Sequence, residues 1–156
     1  AFELAPENTL ESGGDPLFLR RLIKFGTLTV KDVMRARHEM SAIKTDMNFQ
    51  DLVSYISKTG FARIPVYRKS IDNIIGVLYP KDLLPFIEEK DYPWQTLIRP
   101  GFFVNQNMRV SSLLKEFQEK HVHMAITISD ARSTVGLITL EDIVQEIIGN
   151  VKEEEI

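Results

Sequence analysis

The feature that most constrains this chain is that it repeats itself. Ile75-Gly76-Val77-Leu78 returns as Val135-Gly136-Leu137-Ile138, and Lys81-Asp82-Leu83 returns as Glu141-Asp142-Ile143. Both offsets are 60 residues (136 − 76 and 142 − 82), and Ile64-Pro65-Val66 falls on Met124-Ala125-Ile126 at the same spacing. Upstream, Phe49, Leu52, Val53 and Ile56 match Val110, Leu113, Leu114 and Phe117 at an offset of 61 (110 − 49). The one-residue slip is assigned to the turn at Lys58-Thr59-Gly60, opposite Glu119-Lys120, because a slip inside an element would scramble its faces. A chain duplicated in this way folds as two copies of one supersecondary unit.

Each copy reads as strand, helix, strand, strand, helix. In the first, Met40–Lys44 is a short strand. Residues 49–58 carry apolar side chains at i, i+3, i+4 and i+7 and read as a helix that Gly60 ends. Arg63–Tyr67 and Ile74–Leu78 are β-rich runs around a polar turn at Lys69–Asn73. Pro80 opens the closing helix, with Leu83, Leu84 and Ile87 expected inward. The second copy repeats this from Phe102 to Gly149, with Gly149 as its stop. Upstream, Asp15-Pro16 reads as cap and first turn of a helix with Leu17, Phe18, Leu19, Leu22 and Ile23 on its apolar face and Gly26 as its end. Thr29-Val30-Lys31-Asp32 resembles a capping box for one further turn reaching Met34. The organisation expected is a lead-in (1–14), an N-terminal helix and lead segment (15–34), a first unit (35–90), a connector (91–100) with Tyr92 and Trp94 packing at the seam, a second unit (101–150) and an acidic tail (151–156). A unit of about 50 residues cannot bury its sheet alone. The fold class is therefore α+β, two β-α-β-β-α units packed pseudo-two-fold through their sheets.

Composition narrows the function. The chain has 156 residues, 44% of them hydrophobic, enough for a core without disulfides or metal. There are 19 Lys and Arg against 22 Asp and Glu, giving a net charge of −3, so the basic excess that phosphate-backbone binding calls for is missing, and nucleic acid is not an expected partner. Zero Cys removes thiolate nucleophiles and Cys-ligated zinc, and suits a reducing compartment. No apolar run approaches the roughly 20 residues that span a bilayer. The start, Ala1-Phe2-Glu3-Leu4, has no signal-peptide pattern. The chain begins without Met and stops in Glu153-Glu154-Glu155-Ile156 after a helical pattern, which reads as a segment of a longer protein.

Catalysis lacks its parts. The His residues are His38, His121 and His123, and no G-x-S-x-G, HExxH, Walker-type or G-x-G-x-x-G pattern occurs. Glu88-Glu89 and Glu153–Glu155 read as solvated surface. His121 and His123, at i and i+2 on a strand, would share a face, but no further ligand accompanies them, so no metal site is expected. Thr139-Leu140-Glu141-Asp142 is more informative: a strand ends on Thr139 and a helix begins at Leu140. Such a terminus attracts phosphate, Thr139 can donate to a phosphate oxygen, and the Asp142 carboxylate can accept from the two vicinal hydroxyls of a ribose. The same residues also suit plain capping. Asp82 stands at the equivalent place after Tyr79-Pro80-Lys81, where Tyr79 is a poor cap. In Gly60-Phe61-Ala62-Arg63-Ile64-Pro65-Val66, Arg63 is either a fork for phosphate or a surface charge, and Phe61 and Ile64 either line a slot for a flat base or belong to a turn and core strand.

These residues together resemble a tandem pair of CBS domains, a Bateman module. The resemblance is carried by G-x-x-R-[hydrophobic]-P-V at Gly60–Val66, I-I-G-V-L…K-D-L at Ile74–Leu83 and G-L-I-T-x-E-D-I at Gly136–Ile143. More narrowly, the chain is similar to the pair in the CorC/HlyC-type transporter and hemolysin-like family. Phe25-Gly26…Leu28–Met34, Leu114…Phe117-Gln118…His123–Ile126 and Glu141–Gly149 look like that family's segments. Two stretches depart from it. Met34-Arg35-Ala36-Arg37 stands where the family has M-T-P-R and lacks its Pro. Ser129-Asp130-Ala131-Arg132-Ser133 stands where it has D-E-Y-G-G and lacks its Gly.

The resemblance implies a regulatory, non-enzymatic module on the cytoplasmic face of the plasma membrane. It implies a parent chain with transmembrane and C-terminal domains, related to magnesium and cobalt efflux, hemolysin-like and gliding-motility proteins. The implied ligand is AMP, ADP or ATP, with or without magnesium, and no redox cofactor. The implied partner is a second copy, through the helices of the CBS units. By position, the main cleft would combine Met40, Ala42, Phe61, Ala62, Arg63, Ile64, Pro65 and His123 with Ile138, Thr139 and Asp142. Arg63 and Thr139 would meet phosphate there, and Asp142 ribose. A weaker cleft would combine Phe103, Val104, His121 and Val122 with Val77, Tyr79, Lys81 and Asp82. The alternative is a dimerisation module with vestigial clefts.

Overall fold

The duplication is visible element by element in the computed structural model, which describes residues 16–155. The lead-in 1–14 and the Asp15 cap lie outside the described residues, as do the side chains of Phe18 and Glu153–Glu155. In chain order the elements are α1 (Pro16–Thr27), α2 (Val30–Val33), β1 (Arg35–Ala36), a 3₁₀ turn (Arg37–Glu39), β2 (Ile43–Lys44), α3 (Phe49–Thr59), β3 (Ile64–Arg68), β4 (Ser70–Leu78), 3₁₀ helices Pro80–Phe86 and Trp94–Leu97, β5 (Phe103–Asn105), α4 (Val110–Lys120), β6 (Met124–Ile128), β7 (Thr134–Thr139) and α5 (Leu140–Glu155). The fold is mixed α+β with two sheets, as the repeat implied. Its contacts form two compact units that cut across the sequence copies: residues 35–106 with 124–137, and residues 16–34 with 107–123 and 138–155.

The first unit holds the sheets. One runs β2-β3-β4, with β2 parallel and β4 antiparallel to β3, and Val66 opposite both Ile43 and Gly76. The other runs β1-β7-β6-β5. Its edge strand β1 comes from the very start of the first sequence copy, an addition that the duplication does not show, since two residues carry no period. Ile43, Phe49, Leu52, Ile64, Val66, Leu78, Leu83 and Trp94 form one core. Ile74 of the first sheet joins Ile126 and Leu137 of the second in another, flanked by Met40, Tyr67, Ile71 and Met124. The sheets thus bury their apolar faces on each other.

The second unit is helical. Helices α1 and α2 pack on α4 and α5. Asp32 takes the backbone N–H of Thr29 at 2.9 Å and its hydroxyl at 3.0 Å, so the capping start read from the sequence forms. Those two hydrogen bonds hold the Asp32 carboxyl below the usual carboxylate range. Val30 and Val110 donate backbone N–H groups to Met108 and Leu28, and Arg109 donates to the Gly26 carbonyl at 2.7 Å. These bonds bring the lead segment against the start of α4.

Several local expectations are corrected. Helices α3 and α4 end in register at Thr59 and Lys120, each followed by a left-handed residue, Gly60 (φ 69) and His121 (φ 55). The slip therefore falls after the caps, in the approach to β3 and β6. His121 is consequently a helix cap and His123 precedes β6, so the two do not share a strand face. The strand foreseen over Met40–Lys44 shortens to Ile43–Lys44, while β4 begins at Ser70 because Lys69 (φ 69) alone turns the hairpin. The closing element of the first copy is 3₁₀, with Pro85 inside, which lacks the N–H an α-helix would use. Leu83 is buried, but Leu84 and Ile87 are 67% and 44% exposed, contrary to the inward reading. Trp94 and Tyr92 serve the first copy: the Trp94 indole donates to the Met47 carbonyl at 2.7 Å, and Tyr92 stacks on Phe86. Helix α1 continues through Gly26 to Thr27, with Ile23 exposed, and α5 runs past Gly149 to Glu155. Neither glycine takes a left-handed φ, so neither ends its helix.

Candidate functional site

Strand β7 delivers Thr139 to the start of α5. Ile138 is fully buried and Thr139 nearly so, which fixes the strand end. The Thr139 backbone N–H donates to Asp142 Oδ2 at 3.0 Å, and the Asp142 backbone N–H donates to Thr139 Oγ1 at 3.1 Å. This reciprocal box realises the capping role of both residues. It also holds the hydroxyl and carboxylate side by side on the first turn of a 16-residue helix, where unpaired N–H groups and the helix dipole favour an anion. The hydroxyl acts as acceptor in the box, so its own proton is not used there. Leu140 donates its N–H to the His123 carbonyl at 2.9 Å. His123, Leu140, Glu141, Val144 and Gln145 line an open pocket of ≈ 370 Å³ beside this terminus, and neither Thr139 nor Asp142 is part of its lining.

The residues expected to face this end lie in the sheet-bearing unit. Gly60 caps α3 in the left-handed region, which throws Phe61 and Ala62 to the surface before the chain enters β3. Arg63 is half-buried at the strand's start, and Met40 and Ala42 are half-buried beside β2. The side chains of Ile64 and Pro65 are buried. Ile64 is in the core with Leu52, Leu78 and Trp94, so its side chain is not the slot wall that the sequence suggested. Phe61 remains exposed.

The weaker set is arranged differently. Phe103 is exposed on β5 opposite Ile126, and Val104 is buried opposite Thr127. Val77, Tyr79 and Asp82 are all engaged by one residue that sequence reasoning passed over, Arg99. Its backbone exchanges hydrogen bonds with Val77 at 2.9 and 2.8 Å. Its guanidinium donates Nε to Asp82 Oδ2 at 2.9 Å and Nη2 to Oδ1 at 2.8 Å. The same guanidinium lies 4.1 Å from the Tyr79 ring centroid, with Lys81 at 5.8 Å. The Asp82 hydrogen bonds push Arg99 above its ordinary pKa. Tyr79 gives no side-chain cap. The Asp82 carboxylate thus anchors Arg99, while the Asp142 carboxylate caps the start of its own helix. His121 and Val122 lie in the helical unit.

A second polar cluster was also missed. Arg37 pairs with Asp72 and donates to the Thr134 carbonyl at 2.9 Å, while the Thr134 N–H donates to Asp72 at 3.0 Å. The Arg37 bond and then the Thr134 bond hold the Asp72 carboxyl below the usual range. One signal was available: at the 60-residue offset Asp72 corresponds to Arg132, a charge reversal inside the repeat (132 − 72). Among the described residues no three His, Asp or Glu side chains gather as a metal site, and no helix is long and apolar enough to cross a membrane.

Two copies of β-α-β-β with a closing helix, a strand–Thr–x–x–Asp–helix junction in the second and a Gly-x-x-Arg approach to β3 in the first define a tandem module of two related units. Comparison with known proteins gives the family: the CBS domain model matches residues 30–89 and 92–149, and this chain belongs to that family as a CBS pair. The chain is 32% identical over 154 residues to the magnesium and cobalt efflux protein CorC of Pasteurella multocida, covering 97% of this chain and 49% of that protein. It is 35% identical over 138 residues to the CorC of Vibrio cholerae, covering 87% and 47%. The chain therefore spans about half the length of the curated relatives it matches. Among solved structures it is similar to the CBS domain of the bacterial CNNM/CorC family Mg2+ transporter in complex with ATP, with 38% identity, a TM-score of 0.79, and coverage of 85% of this chain and 95% of that one.

Proposed function

We propose that this chain is the regulatory, non-catalytic nucleotide-binding part of a membrane transporter related to the magnesium and cobalt efflux proteins. Its ligand is an adenine nucleotide, AMP, ADP or ATP, with or without magnesium. The observation that carries this reading is the Thr139–Asp142 box at the start of a long helix. Asp142 receives the ribose hydroxyls, Thr139 and Arg63 receive phosphate, and Phe61, Ala62 and the β3 approach receive the base. Met40, Ala42, Pro65, His123 and Ile138 complete the set, and Ile64 backs it from the core. Likeness to an ATP-bound CBS domain supports the ligand class. In this reading residues 35–90 and 101–150 act as the two CBS units, with 91–100 between them. The nucleotide acts by population shift, binding one arrangement of the parent transporter better than another. The module lies on the cytoplasmic face and pairs with a second copy.

The test is calorimetric titration of ATP, ADP and AMP into the wild-type chain and Asp142→Ala. Removing a charge-assisted hydrogen-bond acceptor weakens binding by about 1.5–3 kcal/mol, roughly 10- to 100-fold. Equal affinity for both proteins would refute the ribose contact. A second reading, a dimerisation module with vestigial clefts, is favoured by the exposed apolar side chains of the two closing helices, Leu84 and Ile87 in the first copy and Val144 and Ile148 in the second. Thermal shift separates the two, since a ligand at 100 times its dissociation constant stabilises by about 2.7 kcal/mol.

A further inference from the structure

The crossing from one sheet to the other has little strand pairing to hold it. Residues 37–42 carry the chain from β1, on the edge of the second sheet, to β2, on the edge of the first. Strands β1 and β2 are two residues each, so each contributes only two paired positions. The Arg37–Asp72–Thr134 cluster supplies the missing hold. Arg37 Nη1 pairs with Asp72 Oδ1 and donates to the Thr134 carbonyl at 2.9 Å, while the Thr134 N–H donates to the same Asp72 oxygen at 3.0 Å. Asp72 belongs to β4 of the first sheet and Thr134 opens β7 of the second, so one closed ring of bonds ties both sheets to the crossing. An exposed ion pair alone contributes little, but Thr134 is 2% exposed, so this ring rests on buried backbone. Directly after it, the Met40 N–H donates to the Arg37 carbonyl at 3.1 Å, and the Met40 side chain packs on the cluster of Ile74, Ile126 and Leu137.

The parallel register sets what the crossing lies beside. Ile43 stands opposite Val66, so counting back along both strands puts Met40 level with Arg63 and Ala42 level with Pro65. The end of the crossing and the approach to β3 therefore form one rim within the sheet-bearing unit. We propose that Arg37 is a positioning residue for this rim: braced against Asp72 and Thr134, it sets where Met40–Ala42 lies beside the β3 approach, and so how tightly the rim receives a nucleotide. The affinity half of this rests on the nucleotide reading given above, and the bracing half does not.

Two readouts test it: the carbon-13 methyl signals of the five methionines, and calorimetric titration of ATP. Both are made on the wild type, Arg37→Gln, Asp72→Asn and the double variant, at a temperature where circular dichroism shows all four folded. In the ligand-free chain the Met40 signal, assigned by its loss in Met40→Leu, moves in both single variants and no further in the double, while that of Met47, which packs on the other core, stays in place. ATP affinity falls about three- to tenfold in each single variant, the loss of one hydrogen-bonded tie, and no further in the double. The sign for Asp72→Asn is decisive. Were Arg37 a phosphate ligand, freeing it from a carboxylate would tighten ATP binding, so tighter binding by Asp72→Asn overturns the positioning role. A Met40 signal that both variants leave in place overturns it, as do ATP affinities equal to wild type in both, or losses that add in the double variant. If the wild type binds no ATP, the nucleotide reading falls and the affinity half with it; the bracing then stands or falls on the Met40 signal alone.

Discussion

Replacing Gly76 with Ala should be far more damaging than its single methyl group suggests. Gly76 sits in β4, opposite Val66, with the connector crossing its free face. A Cβ built there would meet the Ile98 side chain at 2.5 Å and the Arg99 carbonyl oxygen closer still. Both contacts lie inside van der Waals range, and the second is to backbone, which cannot rotate away. Relief requires the connector to lift, and the connector is held there by the reciprocal Val77–Arg99 hydrogen bonds at 2.9 and 2.8 Å. Overpacking of this kind costs about 1–3 kcal/mol, and stretching two backbone hydrogen bonds adds about 1 kcal/mol each at most. A loss of about 2–4 kcal/mol follows. With a urea slope of about 2 kcal/mol per molar for a domain of this size, the midpoint should fall by about 1–2 M. Urea titration followed by circular dichroism measures it. Gly26→Ala is the control of opposite sign: it lies inside α1 with nothing within 4 Å of its Cβ position, and helix propensity predicts a gain of about 0.5–1 kcal/mol. A Gly76→Ala midpoint within about 0.3 M of wild type would show that the connector does not press on β4.

Two further outcomes follow from local geometry. Arg132 holds φ 66 in the tight turn closed by the Ser129 and Ser133 bonds, so Arg132→Gly should raise stability by about 1 kcal/mol in urea titration, and a loss would refute the strain. The Asp72 carboxyl titrates lower in the folded chain than in the unfolded one, so its contribution is fully present above the unfolded value of about 4 and is lost as pH falls through the lower folded value. The urea midpoint difference between wild type and Asp72→Asn should accordingly be constant from pH 7 to about 5 and shrink on acidification; a difference unchanged at pH 3 would count against it.

The legible part of this chain was the part with a period. Helices α3 and α4 appeared in the sequence because Phe49, Leu52, Val53 and Ile56 and their counterparts recur at helical spacing, and burial of Phe49, Leu52, Leu113 and Phe117 follows from that. Thr139 and Asp142 were legible because a strand ending in a hydroxyl and a helix opening with a carboxylate is a local pattern. Arg99 was not legible. It lies in an aperiodic connector before Pro100-Gly101, and its partners Val77, Tyr79 and Asp82 are set by how that connector folds back. The Arg37–Asp72–Thr134 cluster was hidden for the same reason, since its members are 35 and 62 residues apart. Leu84 and Ile87 misled because an α-helical period was applied to a segment that Pro85 turns into a 3₁₀ helix.

The duplication gains its meaning from where the copies stop matching. At the same offset, Tyr79 faces Thr139, Asp72 faces Arg132, and a seven-residue 3₁₀ helix faces a sixteen-residue α-helix. Two of these changes remove something an anion site needs from the first copy: the hydroxyl, and a helix long enough to concentrate unpaired N–H groups and dipole at one end. Two of them add a structural tie, a Tyr79 face for Arg99 and an Asp72 carboxylate for Arg37. The pattern is one of exchange, in which the first copy carries internal bracing and the second keeps the geometry suited to a ligand.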